Sequence, residues 1–171
     1  VSNELDQWFS AVLDHPCRLV YHPDNQMRPV DPDYAFSSDQ TAYSDGFPLL
    51  LASEASLADF NHKSGLNIDM RRFRTNLVVT DCEAYAEDSW RAIRINNINF
   101  RLPKPCSRCA IPGIDPDNAS TQKTVLAALS NWRQYQNKVY FGQNLIHDNL
   151  GVLNLGDQVD ILIAAEPQPP I

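Results

Sequence analysis

Trp90-Arg91-Ala92-Ile93-Arg94-Ile95-Asn96-Asn97-Ile98-Asn99-Phe100-Arg101-Leu102 alternates apolar and polar side chains on either side of an Asn-Asn pair. Alternation of period two gives each arm one apolar face, and paired asparagines suit the tight reversal between two strands. The stretch therefore predicts a β-hairpin and marks the chain as β-rich.

The segments around it predict several short strands and a few helices. Phe47–Ala52 is a continuous apolar run that predicts a buried strand, with a short helix following over Ser53–Phe60. Ser53 is its natural N-cap and Ser56 the alternative. Phe73–Thr80 predicts a strand whose first half is polar. Thr121–Gln136 predicts a helix with Val125, Leu126, Leu129 and Trp132 on one face. Gly151–Leu162 predicts two short strands about a Gly156-Asp157 turn. At the other end, residues 1–15 repeat Leu5, Phe9, Val12 and Leu13 at helical spacing behind a Ser2 or Asn3 cap, and Cys17–Tyr21 alternates like a short strand. Residues 22–42 are rich in Pro, Asp and Ser and predict a long surface loop. There is no internal repeat. The sum is an α+β, β-rich fold with a curved or closed sheet.

With 171 residues and 43% hydrophobic content the chain is long enough to bury a real core. A net charge of -7 argues against nucleic acid or an anionic membrane as the main partner, since both call for a dense basic face. The longest apolar run, Phe47–Ala52, is too short to span a bilayer, and no charged-then-apolar leader opens the chain. Four cysteines are too few for a disulfide scaffold, which favours a reducing, cytoplasmic home. Opening on Val1, the chain reads as a piece of a longer protein.

One cysteine pair is closely spaced: Lys104-Pro105-Cys106-Ser107-Arg108-Cys109. Flanking cations stabilise thiolates, and thiolates ligate soft metals or attack electrophiles. A structural zinc site calls for a second close pair, which Cys17, Cys82, His15, His22, His62 and His147 do not supply. A redox dithiol calls for a helix after the pair, whereas Ile111-Pro112-Gly113-Ile114-Asp115-Pro116 follows. Two ordinary small buried side chains are the bland alternative. Polar residues near apolar strands weigh against it: Asp45 before Phe47, Arg74 and Asn76 before Leu77–Val79, and Gln143 and Asn144 before Leu145-Ile146. Each alone reads as a turn former or surface group, but together with the thiols they suit an anionic, metal-bearing ligand.

Tyr43-Ser44-Asp45, Pro48–Leu57, Arg72–Val79, Ala86-Glu87-Asp88-Ser89-Trp90, Lys104–Cys109 and Phe141-Gly142-Gln143-Asn144-Leu145 follow one another in the order of MOSC domains. The chain resembles that family over residues 41 to about 162, most closely the bacterial relatives of the mitochondrial amidoxime-reducing component. The resemblance implies a MOSC-type, barrel-like sheet with a few flanking helices. It also implies a molybdenum–pterin cofactor and an oxidoreductase acting on amidoximes, hydroxylamines and N-hydroxylated bases. Cys109 aligns with the metal-ligating cysteine and Asp45 with an acid beside the metal. Arg74, Asn76, Ser107, Arg108 and Asn144 fall in cofactor-contacting motifs. Gly46 and Phe47 stand where some relatives carry hydroxyl residues, so contact there would come from backbone. Thr75 replaces a common proline. A family-level association with pyridoxal phosphate binding also comes with the resemblance, tied to no residue here.

On the same reading residues 1–40 join a further N-terminal β-rich domain, residues 41–165 form the MOSC domain, and residues 166–171 are a Pro-rich tail or linker. Electrons would come from a ferredoxin-type domain or a flavin or haem reductase chain, since the chain carries no iron–sulfur ligand pattern. The alternative within the family is a sulfur-carrier or cofactor-binding module without redox catalysis of its own.

Overall fold

A computed structural model describes residues 1–169. In chain order its elements are helix α1 (Asn3–Val12), strand β1 (Leu49–Ser53), helix α2 (Glu54–Ser64), and strands β2 (Leu77–Val79), β3 (Trp90–Ile95), β4 (Ile98–Arg101) and β5 (Pro105–Ser107). Helix α3 (Thr124–Arg133) and strands β6 (Gln134–Tyr135), β7 (Lys138–His147) and β8 (Val159–Ala164) complete it. The strands form one eight-stranded mixed sheet in the order β2-β1-β7-β4-β3-β8, with β5 and β6 also paired to β7. The sheet curls into a half-barrel, giving the α+β, β-rich architecture that the sequence predicts.

The hairpin forms where the alternation places it, with Ile95 opposite Ile98 and Asn96 in the left-handed region at φ 54. Ile93, Ile95, Ile98, Phe100 and Leu102 enter one core cluster with Leu51 and Leu145. A second cluster, under α2 and α3, gathers Ala52, Phe60, Phe73, Val125, Leu129 and Phe141. The neighbours Leu51 and Ala52 thus serve opposite faces of β1, as strand geometry requires. Ser53 caps α2 by accepting from Ser56 N at 3.0 Å, and α2 runs on to a left-handed Gly65.

Several predicted elements differ. Residues 17–21 form no strand; Leu19 N donates to Asp6 Oδ1 at 2.8 Å and ties the segment to α1. Of Phe73–Thr80 only Leu77–Val79 is strand, because Phe73 closes a 3-10 turn (Met70–Phe73) and Arg74 turns left-handed at φ 55. The predicted pair of strands in Gly151–Leu162 is one strand, β8, preceded by a turn in which Asp157 Oδ2 accepts from Asn154 N. Helix α1 keeps its Ser2 cap, yet none of its residues is buried. In the C-terminal stretch, Gln168 N donates to Asp88 O at 2.9 Å, and Pro170 and Ile171 lie outside the described residues.

The long strand β7 has no counterpart among the predicted elements. Strict alternation would put Phe141, Gln143 and Leu145 on one face, but Phe141 joins the helix-side cluster and Leu145 the other. Gly142, at φ +75, makes the switch where the pairing of β5 to β7 also shifts register between Pro105 and Ser107. That irregularity aims the Cys106–Cys109 loop.

Candidate functional site

The site is assembled on a row of hydrogen bonds across the sheet. Asn76 N donates to Leu50 O, and Asn76 Oδ1 accepts from Leu50 N, both at 2.9 Å. Leu50 pairs with Asn144 on β7. Asn144 N donates to Lys104 O at 3.1 Å, and its Nδ2 donates to the Lys104 and Pro105 carbonyls at 3.3 Å each. Asn76 and Asn144 therefore stitch β2, β1, β7 and the start of β5 into one level, directly before Cys106.

Within the loop the two cysteines diverge. Cys106 lies on β5, half-buried, and accepts from Arg108 Nη1 at 3.1 Å. Burial pushes its thiol pKa up, the Arg108 charge draws it down, and Cys109 and Asp45 are close enough to raise it further. Cys109 is exposed, as is Ser107, and Arg108 between them turns inward. A 3-10 turn, Ile111–Gly113, follows the pair in place of an α-helix. Among the described residues no three His, Cys, Asp or Glu side chains gather into a metal-ligand set.

Arg74 reaches the same neighbourhood because Arg108 Nη2 donates to the carbonyl of Phe73, the preceding residue, at 2.6 Å. The turn carrying it is pinned to the segment after Cys109: Arg71 forks onto Asp117 at 2.9 and 3.0 Å, and Arg72 reaches Asp115 at 2.8 Å. Arg74 itself is exposed, and its guanidinium has no partner among the described residues. Asp45 is held by its backbone alone, its carbonyl accepting from Arg28 Nη2 at 2.9 Å. Gly46 has open space above it. Phe47 meets Tyr34 edge-on at 6.3 Å between centroids, and Lys104 Nζ sits 4.0 Å from the Tyr34 ring and 5.1 Å from the Phe47 ring.

The structure thus sets Asp45 and Cys109 within electrostatic reach of Cys106, ties the turn before Arg74 to Arg108, and ties Asn76 and Asn144 to the backbone of neighbouring strands. Exposed groups without partners among the described residues (the Asp45 carboxylate, the Arg74 guanidinium, the Ser107 hydroxyl and the Cys109 thiol) stand on backbone secured from behind. Two contributors went unread in the sequence. Arg28 also donates to the Ala42 and Ser44 carbonyls and so holds the Asp45 loop from a residue with no local signal. Behind β7, Asp88 accepts from Gln143 Nε2 at 2.7 Å and pairs with Arg133 in the core.

A MOSC domain model matches residues 38–160, a span that contains Asp45, Arg74, Asn76, Cys106, Ser107, Cys109 and Asn144 but not Arg28 or Tyr34. The chain belongs to the MOSC domain family. It is 38% identical over 170 residues to the mitochondrial amidoxime-reducing component 1 of Homo sapiens, covering 91% of this chain and 50% of the relative. Against the component 1 of Danio rerio it is 33% identical over 92% of this chain and 51% of the relative. Against the component 2 of Bos taurus the figures are 32%, 92% and 51%. The chain spans about half the length of the curated relatives it matches. Those relatives are mitochondrial by name, in contrast to the cytoplasmic home expected from cysteine usage. Among the described residues no helix is long and apolar enough to cross a membrane.

Proposed function

We propose that this MOSC domain forms the metal-side half of a molybdenum-cofactor-dependent reductase of N-hydroxylated compounds. The observation that supports the reading is the exposed Cys109, with Asp45 close to its neighbour Cys106 and Arg74 on a turn bonded to Arg108, both charges exposed and without a partner among the described residues. That donor set fits a molybdenum–pterin cofactor. An exposed soft thiolate suits the metal, and an unpaired cation with adjacent hydroxyl and amide groups suits an anionic pterin.

In this reading Cys109 holds the metal. Arg74, Ser107, Asn76 and Asn144, with the backbone at Gly46 and Phe47, hold the organic part. The cofactor when bound supplies the two-electron chemistry that separates oxygen from nitrogen. Asp45 would relay protons from solvent toward the N–O bond, whose cleavage to an amine and water consumes two protons and two electrons. Electrons arrive from a separate donor domain or protein. A sulfur carrier also uses an exposed thiol, but it has no use for the unpaired Arg74 and Asp45 beside it.

The test is made on the full-length protein from a cofactor-producing host, comparing Cys109→Ser with Cys106→Ser. Loss of bound molybdenum and of hydroxylamine reduction is expected for Cys109→Ser, with a milder effect for Cys106→Ser. Wild-type molybdenum content and turnover in Cys109→Ser would sink the reading.

A further inference from the structure

Arg108 makes its contacts behind the site. Its Nη1 donates to Cys106 Sγ at 3.1 Å and its Nη2 to Phe73 O at 2.6 Å. The guanidinium carbon lies 5.5 Å from the centre of the Phe73 ring, which stacks on Phe141 at 4.0 Å. Its Nε is buried with no hydrogen-bond partner among the described residues, so this edge too is turned into the protein. Its backbone N donates to Val139 O at 2.7 Å. Residue 108 is therefore held through main chain and side chain together.

Two exposed groups depend on that hold. The Phe73 carbonyl belongs to the peptide that leads into Arg74, whose left-handed backbone aims its side chain outward. On the other side, an inward Arg108 leaves its neighbour Cys109 turned to solvent. We propose that Arg108 is the positioning residue of the site: by tying the Phe73–Arg74 peptide to the Cys106 thiol, it sets the separation of the Arg74 guanidinium from the Cys109 thiol. The inference rests on Cys109 and Arg74 being the groups that hold the ligand. Lysine cannot replace this brace, because a single ammonium lacks the planar fork that spans two acceptors.

Three measurements on the full-length protein test it. In Arg108→Lys, molybdenum retained per protein falls by about 10–100-fold, the range for removing a group that orients a ligand. Adding Arg108→Lys to Arg74→Gln costs little beyond Arg74→Gln alone, because Arg108 acts through Arg74. In cofactor-free protein, the limiting alkylation rate of the Cys106 thiolate, read by peptide at a pH where it is fully ionised, speeds up in Arg108→Lys, since its covering guanidinium is gone. Should Arg108→Lys fail to fold, Cys106→Ala removes one anchor of the same brace and is read by molybdenum retention and by the same non-additivity with Arg74→Gln. Fully additive losses would mean that Arg108 touches the ligand directly, and wild-type retention in Arg108→Lys and Cys106→Ala would mean that the brace positions nothing; either overturns the proposal. An unchanged Cys106 alkylation rate in a folded Arg108→Lys does so too. The alkylation arm involves no molybdenum, so its outcome is separate from the Cys109→Ser test of the function itself.

Discussion

Arg133 forks onto Asp88 inside the core, Nη1 to Oδ2 at 2.7 Å and Nη2 to Oδ1 at 3.1 Å. The two side chains are only 4% and 3% exposed. Asp88 Oδ1 also accepts from Gln143 Nε2, so the pair anchors the strand that carries Asn144. Removing one partner of a buried pair strands the other charge, at a cost of about 3–5 kcal/mol. Urea unfolding of Asp88→Ala should show a loss of that size, and Asp88→Leu combined with Arg133→Leu should recover part of it. A loss below about 1 kcal/mol would mean that the pair is solvated and worth no more than a surface ion pair.

Gly142 stands at φ +75, and a Cβ there would lie 2.6 Å from Leu51 O. Left-handed backbone costs a residue with a Cβ about 1–2 kcal/mol, and the contact with a paired strand adds to it. Gly142→Ala should lower the melting temperature by several degrees, at about 2–4 °C per kcal/mol for a chain of this size. An unchanged melting temperature would show that the bulge between β5 and β7 can relax.

Glu87 is buried, its Oε1 accepting from Ser56 Oγ at 2.8 Å and Ser53 N at 3.2 Å, its Oε2 without a partner among the described residues. Burial, the largest cause, pushes its pKa above the ordinary 4.5, against the Ser56 hydrogen bond that pulls it down. A folded-state pKa above the unfolded one means that the folded protein holds the proton more tightly. The stabilisation is complete below the unfolded value and is lost as pH rises through the folded one. Glu87→Gln cannot ionise, so wild type should lose stability relative to it as pH climbs from about 4 toward neutrality. A difference that stays flat with pH would contradict the raised value.

Asn76 supplies the acceptor for the buried Leu50 N–H. Asn76→Ala leaves that donor unpaired and should cost about 1–3 kcal/mol in denaturant unfolding. Asn76→Asp keeps the acceptor but sets a negative charge near Arg74. It should stay within about 1 kcal/mol of wild type in stability while retaining less molybdenum in the full-length protein. Equal retention would remove Asn76 from the ligand-holding set.

Local patterns were legible because their causes are local. The Trp90–Leu102 hairpin, the Ser53 cap and the Val125–Leu129 face of α3 follow from spacing and capping chemistry, which neighbours along the chain decide. Strand β7 was not legible, because Gly142 breaks its alternation and Gln143 places an amide where an apolar residue would signal a strand. The buried amide makes sense only beside Asp88, 55 residues earlier in the chain.

The candidate site divides in the same way. By itself the sequence determined the inventory: a thiol pair, an acid, two arginines and two asparagines in the order of a MOSC domain. It left the two cysteines equivalent apart from family resemblance. Tertiary structure separated them, because the shifted pairing of β5 to β7 and the Arg108 fork on Phe73 turn Cys106 inward and Cys109 out. The Arg108–Phe73 contact joins residues 35 positions apart, and such pairing is decided by packing across the sheet rather than by spacing along the chain.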